Sequence, residues 1–349
     1  MSPGTGPQRT ALVFAHPEPP RDRRRIRPVF LPFAGCPHRC LFCDQKAQTG
    51  TAPTSLEAIR ETLEQGLRQA RDQGAEPCEL GLYGGTFTAL PQDWPERFLR
   101  TIRPFRAAGL VTRVRCSTRP DAVEPARLAG LKDLGLDLVE LGIQSFDDAA
   151  LAASGRGYSG ETAHAACRTV RQAGLGLGVQ LLPGLPGDRP GVFRSDVDMT
   201  ARLAPDCARL YPCLVLQGTE LAALWRAGGY APWSAARART ELSLALTRLW
   251  RAGVPVIRLG LAPEPGLSGR VLAGPAHPAQ GQQARSLALL DSLRRQIVRL
   301  GRRPQGLEVP VGSQGEFWGH GGCLERAYAR LGLPRERVTA SGDGFFRLV

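Results

Sequence analysis

Three of the nine cysteines lie within eight residues of one another, in the run GCPHRCLFC, and these are Cys36, Cys40 and Cys43. Three thiolates on one short loop can bind three irons of a four-iron cubane cluster, for which four thiolates are the usual complement. The fourth iron is then left for a substrate or a cofactor to coordinate. The spacing therefore predicts a [4Fe-4S] cluster with one open coordination position.

A structural zinc site is the main alternative, because His38 offers a fourth ligand within the same run. The resulting Cys-x-His-x-Cys-x-x-Cys order is unusual, and zinc knuckles rarely follow the first strand of a βα series. The remaining interpretation is that these thiols are small buried side chains without a ligand. That interpretation suits the other cysteines, which show no ligand spacing: Cys78, Cys116, Cys167, Cys207, Cys213 and Cys323.

The elements that must position the cysteine loop alternate in a regular order of strand and helix. The predicted strands are Val29–Phe33, Leu80–Tyr83, Arg113–Cys116, Leu138–Ile143, Leu177–Leu182 and Arg209–Leu214. Six βα units in series predict an α/β fold, a partial (β/α)6 TIM-type barrel. The functional residues of such barrels lie at the C-terminal ends of the strands. The cysteine loop, Gly84–Gly85 and Ser117 follow strands one, two and three.

Beyond about Gln217 the regular alternation of strand and helix ends, and a small C-terminal α/β appendage is predicted. It contains a long helix over 236–252, a strand at Val254–Leu259, a Gly/Pro-rich loop over 262–282 and a basic helix over 285–300. We therefore expect three parts, which are a basic flexible N-terminal arm over 1–27, the partial barrel over 28–216 and a C-terminal α/β domain over 217–349.

The composition fits a folded, basic protein of 349 residues. With 42% hydrophobic residues the chain can bury a sizeable core, which excludes wholesale disorder. No stretch is long and apolar enough to span a bilayer, so we expect a soluble, cytoplasmic protein. The net charge of +13 attracts phosphate and favours contact with nucleic acid. Only two basic residues are lysines, an arginine bias that a GC-rich genome also produces.

Several motifs resemble one family. The runs are GCPHRCLFCDQ, LYGGTFTALP, STRPD, LGIQSFDD, GRGY and LLPGLPGD. They are similar to the radical S-adenosylmethionine (SAM) half of the Elongator catalytic subunit and to its stand-alone bacterial relatives. In that family the free iron binds S-adenosyl-L-methionine, and the reduced cluster cleaves it to a 5′-deoxyadenosyl radical. The family's acetyltransferase domain is expected to be absent from this chain.

The resemblance implies both cofactors and partners. It implies a [4Fe-4S] cluster held by the three cysteines, S-adenosyl-L-methionine, and an electron donor such as ferredoxin or flavodoxin. Together with the charge, it implies an RNA substrate, above all tRNA. Arg295, Arg299 and Arg302 follow one line along the basic helix and the turn after it, where we expect them to contact RNA phosphates.

The resemblance also implies a set of residues that bind SAM. Gly84, Gly85 and Thr86 match the Gly-Gly-Glu position that contacts the SAM amine, with Thr in place of Glu. A side chain at Gly85 is expected to block the methionine end while leaving the cluster intact. The remaining members of the implied set are Ser117 near the ribose, Gln144 on the SAM side, Arg156 at the carboxylate and Leu181 in the adenine-side wall.

Two other functions remain open at this point. One is radical SAM chemistry on a small molecule, as in relatives of oxygen-independent coproporphyrinogen oxidase. The other is a non-catalytic protein that binds a cluster or haem. Release of 5′-deoxyadenosine separates the second from an enzyme, and RNA binding separates the first from an RNA-modifying enzyme.

Overall fold

The computed structural model describes residues 11–20, 24–45, 55–261, 267 and 269–349. Their contacts divide the chain into two compact units. The larger unit comprises Pro20–Ala235 and Val254–Ala276, and the smaller comprises Met1–Pro19, Ala236–Gly253 and His277–Val349. None of the described helices is both long enough and apolar enough to cross a bilayer.

The strands come in the following order along the described chain: β1 (Leu12–Ala15), β2 (Ile26–Phe30), β3 (Cys78–Tyr83), β4 (Val111–Thr118), β5 (Leu138–Gln144), β6 (Gly176–Leu181), β7 (Cys207–Leu210), β8 (Val215–Leu216), β9 (Val256–Leu259), β10 (Val271–Ala273), β11 (Leu307–Pro310), β12 (Val338–Ser341) and β13 (Phe345–Leu348). The helices are α1 (Leu56–Asp72), α2 (Trp94–Ala107), α3 (Pro125–Asp133), α4 (Asp148–Ala153), α5 (Gly160–Gln172), α6 (Val192–Leu203), α7 (Glu220–Arg226), α8 (Ala235–Arg251), α9 (Gln280–Leu300), α10 (Gln314–Trp318) and α11 (Glu325–Arg330).

The larger unit is built on a seven-stranded parallel sheet in the order β2-β3-β4-β5-β6-β7-β9. Central strands of such a sheet are covered on both faces and read as apolar runs, and in β5 every residue except Gln144 is buried. Residues from the first strand, β2, and the last, β9, line one shared cavity. The sheet therefore curls into a half-barrel, which confirms the predicted fold class.

The seventh strand of this sheet is β9, which the sequence analysis assigned to the appendage. It pairs in parallel with β7, with Arg209 opposite Arg258. The helices α7 and α8 lie between these strands in the chain. They lengthen the connection and hide the βα rhythm, so the strand pattern alone did not reveal its place in the sheet.

A separate two-stranded antiparallel pair joins β8 to β10. The strand β10 falls in the predicted loop over 262–282, of which residues 262–266 and 268 lie outside the described residues.

The smaller unit has its own four-stranded sheet in the order β1-β13-β11-β12. Its core contains the fully buried rings of Phe317, Tyr328 and Phe346, and the ring of Phe14 stacks on Phe346 with centroids 5.4 Å apart. The strand β1 lies within the predicted flexible arm, but here Leu12–Ala15 pairs with the last strand of the chain. Residues 1–10 and 21–23 of that arm lie outside the described residues, and the predicted domain boundaries stay a prediction.

Candidate functional site

The cysteine loop begins directly after β2. Leu31 is fully buried, and its amide donates to the Tyr83 carbonyl at 2.7 Å, which continues the pairing of β2 with β3. The chain then turns sharply, with Phe33 and Gly35 both at positive φ. All three thiols line one cavity of about 550 Å³ at the C-terminal ends of the strands. The predicted position of the loop at this end of the sheet is thus observed.

Each thiol has a different polar neighbour. The Cys36 sulfur lies 3.4 Å from the Thr86 hydroxyl, and the Gln45 side chain hydrogen-bonds to Cys43. Cys40 is buried and accepts a hydrogen bond from Arg156 at 2.9 Å. Burial raises the pKa of Cys43 to about 12, and the neighbouring thiols add to the rise. The protein without metal therefore keeps this thiol protonated, and iron must displace that proton on binding.

The arrangement fits a multi-iron cluster better than a single metal ion. Among the described residues, no three His, Cys, Asp or Glu side chains converge as one metal ion requires. His38, the fourth ligand in the zinc interpretation, instead places its Nε2 2.8 Å from the Gly155 carbonyl oxygen. In a cubane cluster each thiolate binds a different iron, so the thiols must surround a volume and need not converge on a point. The shared cavity meets that requirement.

The segment Gly84–Thr86 after β3 folds back onto the cysteine loop. Gly84 and Gly85 have φ of +77° and +65°, a conformation that favours glycine. The Gly85 amide donates to the Gln45 side chain at 2.9 Å. Thr86 is fully buried, and its amide donates to the Ala34 carbonyl at 2.7 Å. The Thr86 amide is therefore used within the protein, whereas both glycines line the cavity.

The geometry at Gly85 argues against the expectation that a side chain there would leave the cluster intact. A Cβ placed on Gly85 would lie 2.1 Å from the Ala34 carbonyl oxygen and 2.7 Å from that of Leu31. These are backbone atoms of the cysteine loop, so a side chain there would displace the loop itself. The glycine serves first to let two backbone segments approach each other.

Arg156 lies beside the cysteine sulfur and has few donors left for another ligand. Its guanidinium donates to Cys40, to the Gly142 carbonyl at 2.6 Å and to the Tyr158 hydroxyl. Arg119 approaches the same sulfur at 3.9 Å, and both guanidinium groups stand over the Tyr158 ring. Two buried cations therefore face one cysteine. Pairing of Arg156 with a SAM carboxylate stays a prediction.

Ser117 and Gln144 both line the cavity, as the resemblance implies. The Ser117 hydroxyl accepts a hydrogen bond from the Gln180 amide at 3.1 Å. Gln144 ends β5 with φ +68°, an uncommon conformation for a residue with a side chain and one that recurs at ligand sites. It is half-buried rather than buried. Their contacts with SAM stay predictions.

Leu181 needs a correction. Its side chain is fully buried and does not line the cavity, whereas Gln180 and Leu182 do. Successive side chains of a strand point to opposite faces of the sheet, so Leu181 packs into the core. Contact of this segment with adenine stays a prediction.

A buried polar network beneath the cavity was missed entirely. Glu140 is 1% exposed and receives hydrogen bonds from Arg209 at 3.0 Å, Tyr83 at 2.9 Å and Gln180 at 3.1 Å. Burial alone would raise the pKa of Glu140, yet the charges of Arg209 and Arg115 hold it below its usual range. Glu140 is therefore an anion that fixes the floor of the cavity. The sequence signal for this network was a charged residue within each of three apolar strands, which are Arg115 in β4, Glu140 in β5 and Arg209 in β7.

Comparisons with known proteins agree with this geometry. The radical SAM superfamily profile matches residues 30–199, and the radical SAM C-terminal domain profile matches residues 205–288. A tRNA uridine(34) acetyltransferase of Methanocaldococcus infernus is 28% identical over 251 residues, which are 61% of this chain and 47% of that protein. Mouse Elongator complex protein 3 is 25% identical, over 57% of this chain and 44% of that protein. The chain spans about half the length of the relatives it matches.

A solved structure shares the fold. The archaeal Elp3 of Methanocaldococcus infernus, with an N-terminal deletion, superimposes with a TM-score of 0.54 at 20% identity. The superposition covers 78% of this chain and 63% of that one. At this identity the likeness concerns the fold alone.

Proposed function

Since this chain is an enzyme of the radical SAM superfamily, we propose that Cys36, Cys40 and Cys43 bind a [4Fe-4S] cluster and that the same cavity binds S-adenosyl-L-methionine. The proposed substrate of the enzyme is RNA, above all tRNA. The observation that carries this proposal is the convergence of the three thiols and the Gly84–Gly85 turn on one cavity at the C-terminal ends of the strands.

When bound, the cluster and S-adenosyl-L-methionine would supply one-electron cleavage of the sulfonium to methionine and a 5′-deoxyadenosyl radical, with the electron coming from an external donor such as ferredoxin or flavodoxin. The residues of the chain prepare the cavity for this chemistry. Phe30, Phe33 and Phe42 give it apolar walls, which exclude water from reactive species. Gln45 joins the two segments that carry the thiols and the glycines, because one side-chain oxygen accepts from both the Phe33 and Gly85 amides.

The tRNA substrate is supported by two independent features. The similar proteins include enzymes named for tRNA uridine(34), and the chain has a net charge of +13. Positive charge supplies most of the affinity for a phosphate backbone. A small-molecule substrate would not require this excess of charge.

The proposal is tested with anaerobically reconstituted protein. It should contain about four irons and four sulfides per chain, and it should release 5′-deoxyadenosine from S-adenosyl-L-methionine after reduction with dithionite. RNA that copurifies with the protein should be identified, and its binding measured by gel shift. The variant with Ala at 36, 40 and 43 is the negative control for both iron and SAM cleavage.

Each part of the proposal has its own contrary result. Protein that holds only zinc, or that holds a cluster without releasing 5′-deoxyadenosine, contradicts the chemistry. Protein that cleaves SAM but does not bind RNA contradicts the substrate and favours a small molecule.

A further inference from the structure

The cavity that contains the three thiols has a strongly positive lining. Five arginines and one histidine line it, and the described lining residues include no Asp or Glu. A cation that is partly withdrawn from water and has no counter-charge is costly. The placement of each counter-charge therefore shows which cation is left for a ligand.

Three of the five arginines have acceptors of their own. Arg119 forms an ion pair with Asp121 at 2.7 Å, and Arg209 donates to Glu140 at 3.0 Å. Arg156 donates to the Cys40 sulfur. A fourth, Arg39, is exposed at the rim, where its guanidinium stacks over the Phe33 ring. Solvent and the ring satisfy it.

Arg258 differs from the other four. It is half-buried, and its hydrogen bond within the described chain is a single contact of 3.3 Å from Nε to the Gly260 carbonyl. It lies opposite Arg209 in the register of β7 and β9, and like charges in this position repel. Glu140 compensates Arg209, but no described carboxylate forms an ion pair with Arg258.

A hydroxyl group lines the same cavity as this cation. Tyr211 lines the cavity, and its hydroxyl accepts a hydrogen bond from Arg209 at 3.1 Å. The phenolic proton remains available to donate. Burial raises the pKa of Tyr211, so the hydroxyl keeps that proton near neutral pH. A guanidinium and a hydroxyl donor on one wall match the requirements of an oxyanion.

We propose that Arg258 and Tyr211 form an anion subsite, which holds a carboxylate or phosphate group of the substrate in the cavity. The inference rests on the proposed function, because it assumes that the substrate enters this cavity. The inference further states that the substrate carries a negative charge at the point where it contacts β9. A bound anion would relieve the repulsion between Arg209 and Arg258. A negatively charged substrate would therefore also order this part of the cavity wall.

The test measures weak anion binding by NMR. Anaerobic protein with an oxidised cluster and saturating S-adenosyl-L-methionine is titrated with inorganic phosphate, observed by ³¹P relaxation, and separately with ¹³C-acetate. Saturation with S-adenosyl-L-methionine prevents either probe from occupying the site of its carboxylate. Tighter binding of phosphate would assign a nucleotide group to the subsite, and tighter binding of acetate would assign a carboxylate.

Arg258→Gln should weaken binding of the preferred probe about tenfold or more, as expected for loss of a charged hydrogen bond, and Tyr211→Phe should weaken it less. The matched control is Arg103→Gln, which removes one exposed arginine charge from α2, outside the cavity, and should leave binding unchanged. Iron content and thermal unfolding confirm that each variant is folded.

The inference is overturned if neither probe binds the native protein, if Arg258→Gln binds as tightly as the native protein, or if Arg103→Gln loses as much affinity. A parallel assay of 5′-deoxyadenosine release on the native protein separates this inference from the proposed function. Anion binding that depends on Arg258 in a protein unable to cleave SAM would support the subsite and contradict only the proposed chemistry.

Discussion

Two groups of arginines, one in each unit, have opposite environments. In the larger unit Arg115, Arg119 and Arg156 are 4–5% exposed, and each has a defined acceptor. In the smaller unit Arg294, Arg299 and Arg303 are exposed on α9 and the turn after it. A buried cation is tolerated only with an exact acceptor nearby, whereas a surface cation costs little wherever it stands.

This difference shows that the net charge does not by itself identify which cations are available to RNA. The net charge of +13 sums cations that organise a cavity and cations that face solvent. The cations that line the cavity can alter the electronic properties of a bound group through short-range contacts. The second kind can attract a polyanion through its field. Substitution of Arg156 or Arg119 alters the first kind, and charge reversal of Arg294, Arg299 and Arg303 alters the second.

The largest effect is expected from the thiols themselves. Cys36→Ala, Cys40→Ala or Cys43→Ala should each abolish the cluster, because two thiolates hold a cubane poorly. Iron and sulfide analysis with the visible spectrum measures the loss. Cys323→Ala is the matched control, since this thiol is exposed in the smaller unit, and it should keep the native iron content. Retention of the cluster in any of the three loop variants would contradict the ligand assignment.

The next largest effect concerns the approach of two backbones. Gly85→Ala should greatly reduce cluster incorporation, because its Cβ would lie 2.1 Å from the Ala34 carbonyl oxygen. Gly109→Ala is a matched control, with φ +75° and nothing within 4 Å of the added Cβ. It should lower the free energy of unfolding by only about 1 kcal/mol through backbone strain. Equal iron content in the two variants would show that the cysteine loop tolerates displacement.

A smaller effect is expected from the cation at Cys40. Arg156→Gln should lower the reduction potential of the cluster, because a positive hydrogen-bond donor 2.9 Å from the sulfur favours the added electron. Arg119→Gln should lower it less, since Arg119 lies 3.9 Å away. Redox titration followed by electron paramagnetic resonance measures both midpoints. Tyr158→Phe keeps both guanidinium groups and controls for disturbed packing; an unchanged midpoint in Arg156→Gln would count against this role.

Much of the fold and the position of the cysteine loop at the C-terminal ends of the strands were accessible from the sequence, because both depend on local patterns. The strands of the half-barrel follow apolar runs, and the cysteine spacing is a property of eight residues. Pairing between β1 and β13 joins Leu12 to Leu348, and no local pattern reports a contact across that separation. The placement of Leu181 failed for another reason. A shift of one residue along a strand reverses the face to which a side chain points.

The smallest effect is expected at the surface of the smaller unit, where the structure changes the choice of residues. Arg295 forms an ion pair with Asp291 one helical turn away, and Arg302 is half-buried. The predicted line of Arg295, Arg299 and Arg302 therefore presents less free charge than Arg294, Arg299 and Arg303, which are exposed. We expect the exposed set to contact RNA phosphates.

Charge reversal of Arg294, Arg299 and Arg303 to Glu should weaken RNA binding and flatten its salt dependence. Each lost phosphate contact lowers the slope of log affinity against log salt by roughly 0.7 for single strands, so three contacts amount to about 2. Reversal of Arg97, Arg100 and Arg103 on α2 removes the same net charge from the larger unit and should change the slope less. Gel shifts at several salt concentrations measure both. Release of 5′-deoxyadenosine should persist in the α9 variant, because these residues lie outside the cavity. Equal slopes in the two variants would mean that RNA responds only to total charge, and the surface arginines of α9 would then have no specific role.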